Sequence, residues 1–242
     1  MTNTIKNRRR IMIGKDIALG RFDLNVSELV ILLGIMGKMS QTKELSEEEK
    51  GKWWKFSVEE YMELRGVSRA AAKEALHYAS ENLFKRELFT QVGEERPIKC
   101  HWIFEMKPIE DPKGGCYNDI ELKWHPKALP FITELKQYCI HDLKKLGNLK
   151  HFLTYRLYFW LSQKMYNCRN GRLEMSLEEF REQFGFTDSY MEYKDLKRNI
   201  IKPVLREILE KKLLFFGFRE KKRGKWVVGL EFSWGLDRWE EV

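Results

Sequence analysis

The strongest constraint on the fold is a segment that occurs twice. Phe56-Ser57-Val58-Glu59-Glu60-Tyr61-Met62-Glu63-Leu64-Arg65-Gly66-Val67-Ser68 aligns without a gap, at an offset of 119 residues, with Met175-Ser176-Leu177-Glu178-Glu179-Phe180-Arg181-Glu182-Gln183-Phe184-Gly185-Phe186-Thr187. Ser, Glu, Glu, Glu and Gly recur at five positions, and five further pairs keep their character: Phe with Met, Val with Leu, Tyr with Phe, Val with Phe, Ser with Thr. The chain therefore reads as a duplicated domain of roughly 100 to 120 residues.

Each copy has a local physical meaning. Ser57 and Ser176 stand three residues before Glu60 and Glu179, the spacing of a capping box that satisfies free backbone donors at a helix start. A catalytic pair made from Glu59 and Glu60 is the rival, but adjacent helical side chains diverge by about 100 degrees, and the acids reappear with the cap. Gly66 and Gly185 can end these helices in the left-handed conformation, and Ser68 or Thr187 can start the next. Helix, glycine turn, helix is the helix-turn-helix pattern.

A second helix is predicted over residues 69–84, with Ala72, Ala75, Leu76, Ala79 and Leu83 on one face. In the other copy Leu196, Ile200, Val204 and Ile208 alternate with Ile201, Leu205 and Leu209, while Lys194, Lys197, Arg198, Lys202 and Arg206 fall largely outside that stripe. Pro203 removes a backbone donor there, so a kink or break is expected near 199–202. Alternating residues follow each pair: Cys100, Trp102, Phe104 and Met106, then Ile120, Leu122 and Trp124 beyond the turn Pro112-Lys113-Gly114-Gly115. In the second half these are Leu214, Phe216 and Phe218, then Trp226, Val228, Leu230, Phe232 and Trp234 beyond the basic tip Lys221-Lys222-Arg223-Gly224. These are hairpins. Helix-turn-helix plus hairpin, twice, gives an α+β fold of two tandem winged-helix domains related by internal duplication.

Helices at 26–39, loosened by Gly34 and Gly37, and at 154–166 precede the two copies, and 40–52 reads as a solvated insertion. The expected organisation is a basic N-terminal arm at 1–19, including Arg8, Arg9 and Arg10, and a first winged helix at 20–136. An interdomain connection at 137–150, a second winged helix at 151–236 and a tail at 237–242 complete it.

Charge separates the halves. Residues 1–136 carry 23 Lys plus Arg against 21 Asp plus Glu, and residues 137–242 carry 21 against 15. The window 193–225 holds 12 basic and 4 acidic residues, a net of +8 that equals the formal charge of all 242 residues. Such a concentration points to a polyanion. With 43% hydrophobic residues, global disorder is excluded. The longest apolar stretch, residues 29–37, is too short to span a membrane, so a soluble, cytoplasmic protein without a membrane partner is expected. Cys100, Cys116, Cys139 and Cys168 contain no Cys-x-x-Cys pair and read as reduced thiols. A zinc set of Cys100, His101, Cys116 and His125 matches no common finger. His77, His125, His141 and His151 lack ligand spacing, and no metal or cofactor is assigned.

At this level of detail the chain resembles the iteron-binding replication initiator proteins of theta-replicating plasmids. The resemblance rests on Leu149-Lys150 with Arg156-Leu157-Tyr158, on Ser176-Leu177-Glu178-Glu179-Phe180, on Tyr193-Lys194-Asp195-Leu196-Lys197-Arg198 with Pro203-Val204, and on Val228-Gly229-Leu230-Glu231-Phe232-Ser233-Trp234. Leu122-Lys123-Trp124-His125-Pro126 and Leu129-Pro130-Phe131-Ile132-Thr133-Glu134-Leu135-Lys136 are similar to the family's closing strand and helix of the first domain. It covers roughly residues 20–235 and is strongest after 119. It implies binding to repeated duplex sites at an origin, local opening, recruitment of host initiation factors and the replicative helicase, and a monomer–dimer equilibrium whose dimer represses its own gene.

The residues themselves supply a DNA-binding surface. Tyr193, Lys194, Lys197 and Arg198 open the second recognition helix, where base edges and phosphates come within reach. Arg198 is the expected base reader, because a planar fork grips guanine at two points, and Lys194, Lys197 and Lys202 suit phosphates. Lys221, Lys222, Arg223 and Lys225 on the wing would add affinity more than discrimination, and Ser68, Arg69 and Lys73 mark a weaker contact in the first domain. Strand or helix phase assigns most of Trp53, Trp54, Trp102, Trp160, Trp226 and Trp234 to the core, so no single-strand stacking platform is expected. No catalytic residue is assigned: Gly51-Lys52 and Gly224-Lys225 lack the rest of a phosphate loop, and no His-x-His pair accompanies a nucleophilic Tyr. A dimeric winged-helix repressor without initiator activity is the remaining alternative, and it would share the same binding residues.

Overall fold

A computed structural model describes residues 10–39, 45–90, 97–110 and 117–235. It divides into two units, Met1–Phe152 and Leu153–Val242. The first opens with β1 (Arg10–Gly14), α1 (Lys15–Leu19), β2 (Arg21–Phe22), α2 (Val26–Met36) and α3 (Glu47–Lys50). Next come β3 (Trp54–Ser57), α4 (Val58–Arg65), α5 (Arg69–Asn82), β4 (Glu87–Thr90), β5 (Ile98–His101), β6 (Ile103–Glu110) and β7 (Tyr117–Trp124). It closes with α6 (Pro130–Thr133), β8 (Tyr138–Asp142) and α7 (Leu143–Gly147). The second contains α8 (Phe152–Lys164), which starts on the last residue of the first, then β9 (Gly171–Ser176), α9 (Leu177–Phe184) and α10 (Tyr193–Leu196). A single π-helical turn, Lys197–Ile201, joins α10 to α11 (Lys202–Glu210), and β10 (Gly217–Arg223) and β11 (Trp226–Trp234) form the final hairpin.

Both units repeat one topology. The antiparallel sheets run β3-β7-β6 and β10-β11-β9, so in each the strand before the first helix of the motif pairs with the last strand of the hairpin. Strands β3 and β9 carry the alternations Trp54/Phe56 and Leu173/Met175. These runs are too short for periodicity alone to claim them. The fold is α+β with two winged helices.

The repeat is built as its spacing requires. Ser57 Oγ accepts the Glu60 amide at 3.2 Å and Glu60 Oε2 accepts the Ser57 amide at 2.9 Å; for Ser176 and Glu179 the distances are 3.0 and 2.6 Å. Each such cap stabilises its helix by about 1 kcal/mol. Gly66 and Gly185 follow at φ +63° and +80°, where a Cβ would be strained. Glu60 is buried and also receives Lys38 at 2.6 Å, whereas Glu59 pairs with Arg69. The acids are structural.

Packing decides what pattern left open. In the first unit α2 packs on α4, α5 and α7. Gly34 lets the Phe56 ring lie against the α2 backbone, so that glycine serves close packing rather than loosening the helix. Buried Glu28 caps α2 with Asn25 and accepts Arg86 Nε at 2.9 Å. In the second unit Trp160 of α8 meets Phe184 and Phe232 edge-on at 5.9 and 6.3 Å, and Phe180, Leu205, Ile208 and Leu230 complete the core. Arg156 reaches from α8 to the Gln183 carbonyl at 2.8 Å near the end of α9, where free carbonyls attract a cation.

Several expectations are corrected or refined. Residues 137–150 are not a linker: β8 pairs with β1 from Arg10↔Asp142 to Gly14↔Tyr138, and Arg65 of α4 donates to the carbonyls of Gly147 and Leu149 at 2.8 and 2.5 Å. Residues 10–14 accordingly form a strand, not an arm; Arg8, Arg9 and the tail 237–242 lie outside the described residues. The run through Cys100 and Met106 is two strands in different sheets, bent at Trp102, whose amide donates to Arg86 O and whose carbonyl accepts from His125. Ile103 is buried and Phe104 exposed past the bend, and the turn 112–115 lies outside the described residues. Thr187 does not begin the next helix, as described below. The irregularity expected near Pro203 is present, as one wider π-helical turn over Lys197–Ile201 rather than a break; the backbone keeps helical angles at Leu196, Ile201 and Lys202. Within the supposed loop, Glu47–Lys50 form a short helix capped by Ser46, and 40–44 lie outside the described residues.

Candidate nucleic-acid interface

The second winged helix carries exposed cations both on its recognition helix and on its wing. Residues 193–210 form its recognition helix, with Leu196, Ile201, Val204, Leu205 and Ile208 buried. Lys194, Arg198, Lys202 and Arg206 recur every fourth position on the exposed side. Side chains four apart share a helical face. Three of the four acids in 193–225 are already engaged: Asp195 with Arg198 at 2.9 Å, buried Glu207 with Thr154 at 2.5 Å, and Glu220 as described next.

Tyr193 and Lys197, expected to face DNA, turn instead toward the wing. The Tyr193 hydroxyl donates to Glu220 Oε1 at 2.7 Å, and Lys197 Nζ lies 2.5 Å from the same oxygen. Burial pushes the Tyr193 phenol far up, and the Glu220 carboxylate adds to that. For Glu220 burial acts upward, but hydrogen bonds from Lys197 and Tyr193 and the charges of Lys197 and Lys222 outweigh it and hold the carboxyl below its ordinary value. Glu220 sits on β10, so this knot fixes the start of the recognition helix to its hairpin.

The turn before that helix is held by one side chain. Arg181, on α9, donates to the carbonyls of Phe186, Ser189, Tyr190 and Met191 at 3.3, 3.0, 2.8 and 2.9 Å. This fork replaces the short Ser68-capped turn of the first unit, and it holds Tyr190 in the left-handed region at φ +51°. The recognition helix therefore starts at Tyr193, six residues after Thr187. Nothing in the repeat announced it, because Arg181 stands where the first copy has Met62.

Lys221, Lys222 and Arg223 lie within β10, and the tip is a two-residue turn, Gly224 and Lys225, opened by Gly224 at φ +61°. All four cations are exposed; Lys221 pairs across the sheet with Glu174 at 2.7 Å. Trp226 is 66% exposed, against the core position its phase predicted. The cause is a bulge: Lys221 pairs with Gly229 but Lys222 with Val227, leaving Val228 extra. One inserted residue reverses the alternation beyond it. Trp234, Trp160, Trp102 and Trp124 are buried, and Trp53 and Trp54 half-buried.

In the first unit Ser68 is the cap of α5, its hydroxyl accepting the Ala71 amide at 3.3 Å. Arg69 bridges Glu59 of α4 and Asn118 of β7, which lowers the Glu59 carboxyl chiefly through that hydrogen bond. Lys73 is half-buried one turn further on. The structure thus gathers Lys194, Arg198, Lys202 and the wing cations in the second unit, and gives Ser68 and Arg69 partners of their own. Arg206 and Trp226 join the candidate surface; helical spacing from Lys202 signals Arg206, and no sequence pattern exposes the bulge. Cys116 of the imagined zinc set lies outside the described residues, and Cys100 is buried while His101 is exposed beside Phe84. No described helix is long and apolar enough to cross a membrane.

Comparison with known proteins converges on this architecture. Residues 11–162 match the family described as Initiator Replication protein, WH1, and residues 176–234 the family described as Initiator Rep protein, WH2. A replication initiation protein of Escherichia coli is 25% identical over 230 residues, spanning 92% of this chain and 68% of the relative. The fold is similar, at a TM-score of 0.72 and 17% identity over 93% of this chain and 96% of the other, to a Pi initiator protein whose crystal structure was solved in complex with iteron DNA. With a match across most of its length and a winged helix in each matched segment, the chain belongs to the family of initiator replication proteins with WH1 and WH2 domains.

Proposed function

We propose that this protein starts plasmid replication by binding tandem duplex repeats, iterons, at the origin, and that its task is binding rather than catalysis. The observation that carries the reading is the stripe Lys194, Arg198, Lys202 and Arg206 on a recognition helix tied through Glu220 to a wing bearing four more exposed cations. A helix fits the major groove and a hairpin end reaches the adjacent backbone or minor groove. Arg198 reads a base, with Asp195 orienting its guanidinium; Lys194, Lys202 and Arg206 meet phosphates, and Lys221, Lys222, Arg223 and Lys225 add affinity. Tyr193 and Lys197 act by bracing the helix. Arg69 and Lys73 of the first unit make a lesser contact beside Ser68, whose role is the cap. Family membership and the Pi initiator's iteron complex support this assignment.

The same reading includes local opening of the origin, engagement of host initiation factors and the replicative helicase, and repression of the protein's own gene by a dimer. The test is maintenance in trans. A small circular DNA with the candidate origin and no other replicator should persist in cells only when this protein is supplied. It should be lost with an Arg198→Ala variant. Binding without maintenance, together with silencing of a promoter that overlaps the site, would make the protein a repressor instead.

A further inference from the structure

The end of the second wing combines two chemistries that the core does not use. Trp226 leaves two thirds of its surface in solvent, and it stands at the last pair of the β10–β11 ladder, between the turn and the bulge. Its cross-strand partner is Arg223, and the next residue of β10 on that face is Lys221; Lys222 alternates to the opposite face with Glu220. The Lys225 ammonium lies 5.1 Å from the ring centre. A broad apolar plate is thus set among cations at the most protruding point of the hairpin. The bulge at Val228 turns it there, since an unbroken strand would have pointed it with Leu230 and Phe232 into the core.

The surface that matches is the sugar-phosphate wall of duplex DNA, where apolar deoxyribose faces alternate with phosphates. We propose that Trp226 is a DNA contact, its ring laid against deoxyribose and base edges of the minor groove beside the recognition helix's site. Lys225, Arg223 and Lys221 hold the flanking phosphates. This rests on the reading of the second winged helix as the DNA-binding unit, and it adds an apolar, shape-dependent contact to a wing otherwise read as electrostatic. An apolar group in the minor groove responds to groove width and flexibility, so Trp226 would favour sites flanked by easily deformed steps.

The experiment uses the full chain and the duplex it selects from a random pool, with affinity read by anisotropy of the labelled DNA at one fixed salt concentration. Trp226→Ala should weaken binding about tenfold, within the range found for aromatic–nucleotide stacking. Trp226→Phe should keep most of the affinity, and melting curves of both variants should overlay the parent because the side chain is exposed. Hydroxyl-radical footprints should lose protection at the sugars beside the main site in Trp226→Ala, while guanine N7 positions stay protected from methylation. Unchanged affinity and footprint in Trp226→Ala would overturn the proposal and leave the DNA-binding reading intact. A loss seen with separated single strands but not with duplex would also overturn it. If the parent protein showed no duplex preference, the reading beneath the proposal would fall, and the proposal with it.

Discussion

Replacing Glu220 by Gln tests whether the recognition helix is held by charge. Two donors converge on one carboxylate oxygen, Tyr193 at 2.7 Å and Lys197 at 2.5 Å, and the Glu220 side chain is 15% exposed. An amide can still accept from the phenol, so the change removes chiefly the ionic part. Hydrogen bonds to charged groups contribute about 1.5 to 3 kcal/mol, and Lys197 is a third exposed, so a discounted loss of about 1 to 2 kcal/mol is expected. For a unit of this size that lowers its melting temperature by roughly 5 to 15 °C. The sign with pH follows from the depressed carboxyl. Its stabilisation is complete above the unfolded value and fades as pH falls through the lower, folded value, so the gap between parent and Glu220→Gln should close in acid. Melting at pH 7 and near pH 3, plus a double-mutant cycle with Lys197→Met showing coupling of about 1 kcal/mol, measures this. A gap that persists unchanged in acid, or zero coupling, would refute the knot.

Other substitutions separate the remaining roles. Arg198→Ala should cost about 1 to 3 kcal/mol of discrimination against random duplex, and equal weakening on both duplexes would make it a phosphate ligand. Neutralising Lys221, Lys222 and Arg223 to Gln should flatten the slope of log affinity against log salt by about two to three while leaving site preference alone; titrations at several salt concentrations decide. His141, buried on β8 opposite Ile11, is held down to about 4 from 6.5 by burial. The unfolded chain takes up a proton that the folded one refuses, so about 3 kcal/mol of the first unit's stability should drain away between roughly pH 6.5 and pH 4. His141→Phe should remove that dependence in denaturant titrations, and its persistence would assign the loss to another group.

What the sequence disclosed was the local grammar. Ser57, Glu60 and Gly66, echoed by Ser176, Glu179 and Gly185, specify a capped helix and its stop within a dozen residues, so chain-local chemistry suffices. The basic face of the second recognition helix was visible for the same reason, since 3.6 residues per turn convert spacing into direction. Long-range partners were the obscure part. Tyr193 and Lys197 look like groove-facing groups until Glu220, over twenty residues away, brings them to the wing. Residues 138–142 look like a connection until β1 pairs with them. Trp226 and Phe104 were misplaced by a bulge and a bend, which shift a period of two without changing composition. Arg181 is invisible as a clamp because its four acceptors are backbone carbonyls, which every residue carries.

The most direct test of the central claim is selection of bound duplexes from a random pool at a fixed salt concentration, followed by footprinting of the winning sequence. Two winged helices reading successive grooves predict an asymmetric protected site of roughly two helical turns, present in tandem copies at the origin. A lone palindrome bound only by dimers, or no sequence preference at all, would contradict the account.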